Sequence, residues 1–120
     1  MMKNILLAGL GGFIGTVFRA FIMQIFKTNQ SYFATFFINI SGCLLIGLFA
    51  GLGFKYAGFS NNWKIFITTG ICGGFTTFSA FSMENVRLLQ EGKFFSSLIY
   101  IALSIFLGIG ATLVGYKIIN

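Results

Sequence analysis

Four long apolar runs take up most of this 120-residue chain and constrain its fold more than any other feature. An α-helix needs about 20 mainly apolar residues to cross the hydrocarbon core of a bilayer. The connections between the runs are short, which leaves no room for a second domain. We therefore predict an all-α membrane protein in which one domain, 1–120, contains four transmembrane helices over about residues 5–26, 33–54, 65–89 and 94–116.

The composition excludes most soluble functions. Charged residues make up 8 % of the chain, against about 25 % in a typical soluble domain. The sequence contains neither His nor Asp, which rules out a Ser-His-Asp triad, an Asp pair and a His-based metal site, so we expect no enzyme. The net charge of +6 comes from basic residues scattered singly between apolar runs. That pattern is typical of anchors at lipid headgroups and not of nucleic-acid binding.

The basic residues do not favour one orientation in the membrane. Orientation follows the bias of Lys and Arg between the two sides, and the predicted spans place equal numbers on each side. A small protein with too few charges would give this balance, and so would copies that insert in both directions and pair. We favour the second interpretation, an antiparallel dual-topology homodimer, because four short helices alone enclose little interior. One side carries Lys3, Lys55, Lys64 and Lys117, and the other carries Lys27, Arg87 and Lys93, with Arg19 as the fourth if its side chain extends to that side.

The third run contains a stretch that is expected to form a poor helix. Gly73 and Gly74 are followed closely by the β-branched residues Thr76 and Thr77, and both residue types have low helix propensity. Within a membrane, a broken helix is tolerated where the freed backbone is buried in protein or lines a cavity. Freed carbonyls at such a break could bind a hard cation, as the ends of half-helices do in transporters.

Aromatic and amide side chains near this break are candidates for an anion path. Phe78 and Phe81 lie three residues apart, and the positive edges of their rings could face an anion. Plain packing is the more common role for such a pair in a chain with 17 Phe. Asn39 is the amide inside the second run, where it must find hydrogen-bond partners, either between helices or along a polar path.

Other polar residues in the runs leave two interpretations open. Arg19 lies deep in the first run, where it either reaches the headgroups or supplies positive charge at an anion vestibule. Glu84, Arg87 and Glu91 have the spacing of an ion-pair ladder at the membrane interface. On the fourth run, polar residues recur on one helix face, which is consistent with a polar path or a packing seam. This ladder consists of Tyr100, Ser104, Gly108 and Thr112.

Three motifs are spread over the first three runs: Gly11-Gly12-x-x-Gly15-x-x-x-Arg19, Asn39-x-x-Gly42, and Gly73-Gly74-Phe75-Thr76-Thr77-Phe78-Ser79-Ala80-Phe81-Ser82-x-Glu84. Together they resemble the fluoride channels called the Fluc or CrcB family. The resemblance covers all four runs, and the third motif is its most specific part. One position departs from the family pattern Thr-Thr-Phe-Ser-Thr-Phe, because Ala80 stands where Thr is usual.

The resemblance implies a fluoride-selective channel that exports fluoride passively across the bacterial inner membrane and protects the cell from fluoride toxicity. The implied partners are fluoride, the lipid bilayer and a second, antiparallel copy of the chain, with no nucleic acid. It also implies a structural Na⁺ at the dimer interface, held by the backbone carbonyls of Gly73 and Thr76, and places Arg19 near the wide vestibule. The implied fluoride pore is lined by Asn39, Phe78, Ser79, Phe81, Tyr100 and Ser104.

Two other classes of function remain as alternatives. A small dual-topology, proton-coupled multidrug exporter also has four short helices, but it is expected to carry a Glu in its first span, where this chain has Arg19. A non-conducting assembly protein would use Asn39 and the hydroxyl ladder only to join helices. A flux measurement on the purified protein in liposomes separates the three.

Overall fold

The computed structural model describes residues 1–26, 31–56, 58 and 60–119, and within them the chain is helical and contains no strand. Lys27, counted above among the basic residues, lies outside the described residues. Helix α3 is composed of three consecutive stretches, the α-helical Asn61–Lys64, the π-helical Ile65–Cys72 and the α-helical Gly73–Phe75. The other helices are α1 (Met2–Ile25), α2 (Ser31–Lys55), α4 (Phe78–Gln90) and α5 (Phe94–Ile119).

Four segments of this chain are long and apolar enough to cross a membrane, which confirms the predicted all-α membrane fold with four spans. Large apolar side chains cover the outside of the bundle: Phe13 is 70 % exposed and Phe106 is 75 % exposed. Lipid tails are as apolar as these side chains, so such a surface is stable in a bilayer. The four segments are Met2–Ile25, Ser31–Gly53, Asn61–Gln90 and Phe94–Ile119.

Glycines bring the helices of the bundle into backbone contact. Helix α1 packs mainly on α3, where a Cβ added at Gly15 would overlap the carbonyl oxygen of Ile71. Helix α2 packs mainly on α5, where a Cβ added at Gly47 would overlap the carbonyl oxygen of Thr112. Small residues allow this close approach, which increases van der Waals contact between membrane helices. The bundle is therefore built from two tightly packed pairs, α1 with α3 and α2 with α5.

The third span is divided between these two pairs. Helix α3 lies mainly against α1 and also contacts α2, whereas α4 packs on α2 and α5. Thr76 and Thr77 connect α3 to α4 and carry the chain from one pair to the other. Ala34 and Ile38 are fully buried on α2. They lie within two turns of Asn39, which accepts a hydrogen bond from the Thr77 amide in this connection. The connection is thus held against α2.

Candidate functional site

The backbone is extended at two residues in the middle of the third span. Thr76 has φ −81° and ψ 158°, and Thr77 has φ −148° and ψ 117°. Asn39 on α2 pairs with both backbone groups of Thr77: the Thr77 amide donates to Asn39 Oδ1 at 2.8 Å, and Asn39 Nδ2 donates to the Thr77 carbonyl at 3.1 Å. Buried backbone groups need partners, and here a side chain of another helix supplies them.

This arrangement changes the partners of two carbonyl groups. In a continuous α-helix, each amide donates to the carbonyl four residues earlier. The Thr77 amide donates to Asn39 and not to the Gly73 carbonyl. The Ala80 amide donates to the Thr77 hydroxyl at 3.2 Å and not to the Thr76 carbonyl. The two carbonyls predicted to bind Na⁺ are therefore among those that lack their helical donors at the interruption, and Gly73 lies on the exposed surface of the chain.

A cavity of about 280 Å³, the central cavity, opens beside the interruption. Four of the six predicted pore residues line it, and they bring an amide, a hydroxyl and two aromatic rings to one place. The central cavity is lined by Asn39, Cys43, Thr76, Thr77, Phe78, Phe81, Ser104 and Ile105.

The predicted pore residues Tyr100 and Ser79 lie beside the central cavity and are not among its lining residues. The Tyr100 ring meets Phe81 in an edge-to-face contact with centroids 5.0 Å apart, and Phe81 lies 5.7 Å from Phe78. The three rings thus form one continuous aromatic row. Ser79 is exposed, and its hydroxyl lies 3.3 Å from the Thr77 hydroxyl.

The prediction that Glu84 belongs to an ion-pair ladder at the membrane interface is wrong. It is only 6 % exposed, and its two carboxyl oxygens accept hydrogen bonds from the Thr35 and Tyr100 hydroxyls, each at 2.7 Å. Among the described residues, no cation lies within 4.0 Å of Glu84, and the ladder contributes only the exposed Lys93–Glu91 pair at 3.8 Å. Sequence spacing along one helix could not show that α2 and α5 present hydroxyls to this carboxyl group.

Sequence reasoning also missed Cys43, which lies one turn after Asn39 and lines the central cavity. A Cβ added at Gly108 would lie 3.5 Å from Cys43 Sγ. The thiol therefore occupies the space beside Gly108, where the hydroxyl ladder on α5 is interrupted. The next member of that ladder, Thr112, donates to the Cys43 carbonyl at 2.9 Å and so joins α5 to α2.

The structure does not bring Arg19 to the central cavity. Arg19 is half-buried on α1, and its Nε is buried without a hydrogen-bond partner among the described residues. A buried donor without a partner is costly. Its role at a vestibule stays a prediction.

Comparison with known proteins gives a consistent result over nearly the whole chain. The family described as "CrcB-like protein, Camphor Resistance (CrcB)" matches residues 6–116. A protein of Azobacteroides pseudotrichonymphae named "Fluoride-specific ion channel FluC" is 44 % identical over 119 residues, covering 97 % of this chain and 95 % of the relative. Proteins of the same name from Flavobacterium psychrophilum and Oceanobacillus iheyensis are 46 % and 36 % identical, covering 95 % and 98 % of this chain and 94 % and 92 % of their own lengths.

Proposed function

This chain belongs to the CrcB family, and from that premise we propose that it is a fluoride channel, which lets fluoride leave the cell passively and so limits fluoride toxicity. It is a multi-pass membrane protein of a bacterium and not an enzyme. The relatives named as fluoride-specific ion channels resemble it over nearly their whole length. The inner membrane is the compartment in which such a channel would act.

One observation carries the proposal: Asn39, Phe81 and Ser104 line the same small cavity beside the interruption in the third span. Fluoride is small and strongly hydrated, so a pore must replace its water with donors. An amide, a hydroxyl and aromatic ring edges are weak donors. Weak donors suit conduction, because an ion must bind favourably enough to enter and loosely enough to leave.

The aromatic row gives this path a means of selection. Phe78, Phe81 and Tyr100 follow one another at 5.7 Å and 5.0 Å between ring centroids. In the proposed pore, fluoride meets the positive ring edges, and a larger anion is excluded by size. The Tyr100 hydroxyl donates its proton to Glu84, which fixes the Tyr100 ring beside Phe81.

The active form in this proposal is an antiparallel dimer. Phe78, which lines the central cavity, is 77 % exposed in the single chain, and Gly73 beside the interruption is exposed as well. A second copy would cover both and close the open side of the cavity. The equal distribution of basic residues supports insertion in both orientations.

A structural Na⁺ on the dimer axis completes the proposal. The carbonyls of Gly73 and Thr76 have lost their helical donors to Asn39 and Thr77, and carbonyl oxygens are suitable ligands for a hard cation. Two copies related by a two-fold axis would each contribute the same carbonyls. The ion would supply a fixed positive charge that balances converging carbonyl dipoles and holds the interrupted spans together.

The test is fluoride efflux from liposomes that contain the purified protein. Phe81→Ile keeps apolar bulk and removes the ring edge, so we expect at least a tenfold loss of flux with dimer assembly retained. Phe106→Ile is the matched control, because Phe106 is 75 % exposed on the outer surface of α5. Equal flux in both variants and the parent would contradict the proposed path. Proton movement driven by a cationic drug, without fluoride efflux, would favour the exporter.

A further inference from the structure

One end of the bundle carries basic side chains and no acidic one. The two acidic residues of the sequence, Glu84 and Glu91, lie on α4 or directly after it, beyond the interruption in the third span. The opposite end is formed by the start of α1, the end of α2, the start of α3 and the end of α5. We call it the lysine end, because it carries Lys3, Lys55, Lys64 and Lys117. Its side-chain charge therefore has a single sign.

A cavity of about 230 Å³, the lysine groove, opens at this end between α2 and α3. Lys64 and Thr68 contribute polar groups to its lining, whereas Phe49 and Ala50 form an apolar wall. The exposed Trp63 is next to Lys64 in the sequence, and Trp side chains are enriched at the level of the lipid headgroups. Phe49 and Ala50 lie more than a turn before the end of α2, towards the hydrocarbon core. The groove thus has a cation at headgroup level and apolar surface deeper in the membrane, which is the order of groups in a phospholipid.

The Lys64 side chain is held inside the lysine groove. Lys64 is half-buried, whereas the other three lysines of this end are exposed. A Cβ added at Gly53 would lie 3.0 Å from Lys64 Cε and 3.7 Å from Lys64 Nζ, so Gly53 leaves the room in which this side chain crosses the last turn of α2. The dipole of α2 is negative at this end and favours a cation there. The fold therefore fixes the position of the ammonium group.

The charge of Lys64 is not neutralised within the part of the chain that the structure describes. No carboxylate lies within 4.0 Å of its ammonium group there, and the ion pair found in that part joins Lys93 to Glu91 at the opposite end. The Thr68 hydroxyl, which also belongs to the lining, donates to the Lys64 carbonyl at 2.5 Å. An ammonium group carries three donors, and those of Lys64 are available to an anionic group that enters the groove.

We propose that the lysine groove binds one acidic phospholipid per subunit, with the lipid phosphate at Lys64 and an acyl chain along Phe49 and Ala50. This interaction lies outside the fluoride path and does not depend on conduction. The phosphate supplies the negative charge that Lys64 lacks, and a headgroup without an ammonium group of its own meets no repulsion from the exposed lysines of this end. Basic residues close to a membrane surface attract acidic lipids, each by about fivefold in affinity.

The experiment counts lipids bound to the purified protein by native mass spectrometry, at an ionic strength of about 0.15 M, where exposed charges are screened beyond about 8 Å. Phosphatidylglycerol is compared with phosphatidylcholine of the same acyl chains, and inorganic phosphate is added as a competitor. Lys64→Gln removes the cation, and Gly53→Leu fills the groove without changing the charge. Lys3→Gln is the matched control, because Lys3 is exposed at the same end and is not among the residues that line the groove.

We expect the parent to retain one phosphatidylglycerol per subunit under conditions that remove phosphatidylcholine. Binding should be about fivefold weaker in Lys64→Gln and Gly53→Leu and unchanged in Lys3→Gln. Equal retention of the two lipids, unchanged binding in Lys64→Gln, or displacement of the lipid by phosphate would overturn the inference. An equal loss in Lys3→Gln would overturn it too, since the attraction would then belong to the whole surface.

One further outcome identifies a different partner. If Lys64→Gln weakens self-association and leaves lipid binding unchanged, the inference is wrong and Lys64 pairs with a second copy of the chain. None of these measurements needs fluoride flux, so a parent without flux would overturn the proposed function alone.

Discussion

The side-chain carboxamide of Asn39 forms hydrogen bonds with both the N–H and the C=O of Thr77. A carboxamide carries a donor and an acceptor side by side, whereas an ionised carboxylate only accepts. The pairing therefore depends on the amide and not on polarity alone. It also positions Asn39 at the central cavity, so one side chain both holds the interruption and faces the path proposed for fluoride.

Replacing Asn39 by Ala should remove both hydrogen bonds and leave two backbone groups of Thr77 without partners. A buried group left unpaired costs about 1–3 kcal/mol, so we expect the free energy of unfolding to fall by at least that amount and fluoride flux to fall by more than tenfold. Thermal unfolding in detergent and liposome efflux measure the two effects. Asn4→Ala is the control, because Asn4 is exposed on α1; equal behaviour of the two variants would refute the role of Asn39.

Replacing Glu84 by Ala should leave the hydroxyls of Thr35 and Tyr100 without their acceptor, which lowers the free energy of unfolding by about 1–3 kcal/mol. Glu84→Gln keeps one acceptor oxygen in place, so we expect a smaller loss. Glu91→Gln, at an exposed position, should change stability by less than about 0.5 kcal/mol. Chemical denaturation of the three variants tests this order. If Glu91→Gln lowers the free energy of unfolding as much as Glu84→Ala does, the prediction is contradicted.

Residue type alone identified Asn39, Phe81 and Ser104 as candidates, because amides, hydroxyls and rings at regular spacing are visible in the sequence. Glu84 was misread for a physical reason: its spacing to Arg87 fits an ion pair on one helix, whereas its actual partners come from α2 and α5. Cys43 gave no signal, since a thiol within an apolar run is usually a small buried hydrophobe. The partners of a side chain depend on helix packing, which no single run encodes.

At the scale of the helices, glycine positions control how closely α1 and α3 approach. Gly15→Ala would force a Cβ against the Ile71 carbonyl, and overpacking of this kind costs about 1–3 kcal/mol. We expect a corresponding fall in thermal stability. At Gly9, on the same helix, an added Cβ meets nothing within 4 Å, so Gly9→Ala should leave the packing of α1 on α3 unchanged. Thermal unfolding of the two variants is the measurement. A loss of stability in Gly15→Ala alone supports a specific contact between α1 and α3, whereas an equal loss in both variants would indicate a general effect of Ala.

The length and apolarity of the four runs were sufficient to predict the spans, because a bilayer imposes its thickness on any helix that crosses it. The details of α3 were not predictable in the same way. Its π-helical stretch, Ile65–Cys72, has no distinguishing composition, and π-helices are rare outside single turns at functional sites. Low helix propensity indicated a weak point near Thr76, but the released carbonyls depend on Asn39, which lies 37 residues earlier.

At the scale of the whole molecule, the balanced basic residues predict both orientations in the membrane. A C-terminal reporter should be detected on both sides in comparable amounts. Asn4→Lys adds one positive charge to the side that carries the N-terminus, and this should shift the ratio towards N-terminus inside. A single orientation for the parent chain would exclude the antiparallel dimer.

The proposed Na⁺ predicts a dimer whose stability depends on that ion. Since the proposed ligands are backbone carbonyls, no side-chain substitution removes them, and the test is replacement of Na⁺ by a large organic cation. We expect the thermal midpoint of the dimer to fall and to recover when Na⁺ is restored, because a ligand that binds only the folded form stabilises it. A thermal midpoint that stays unchanged when Na⁺ is replaced would contradict the proposed cation site on the dimer axis.

The pairing of α1 with α3 and of α2 with α5 has a consequence for biosynthesis. Neither pair consists of consecutive helices, so the main packing partners of α1 and α2 are made only after another helix has followed them. The glycine surface of α1 stays uncovered until residue 75 has been made, and that of α2 until α5 has been made. A nascent chain that stops short of α5 therefore presents unpacked helices to the insertion machinery and to membrane proteases.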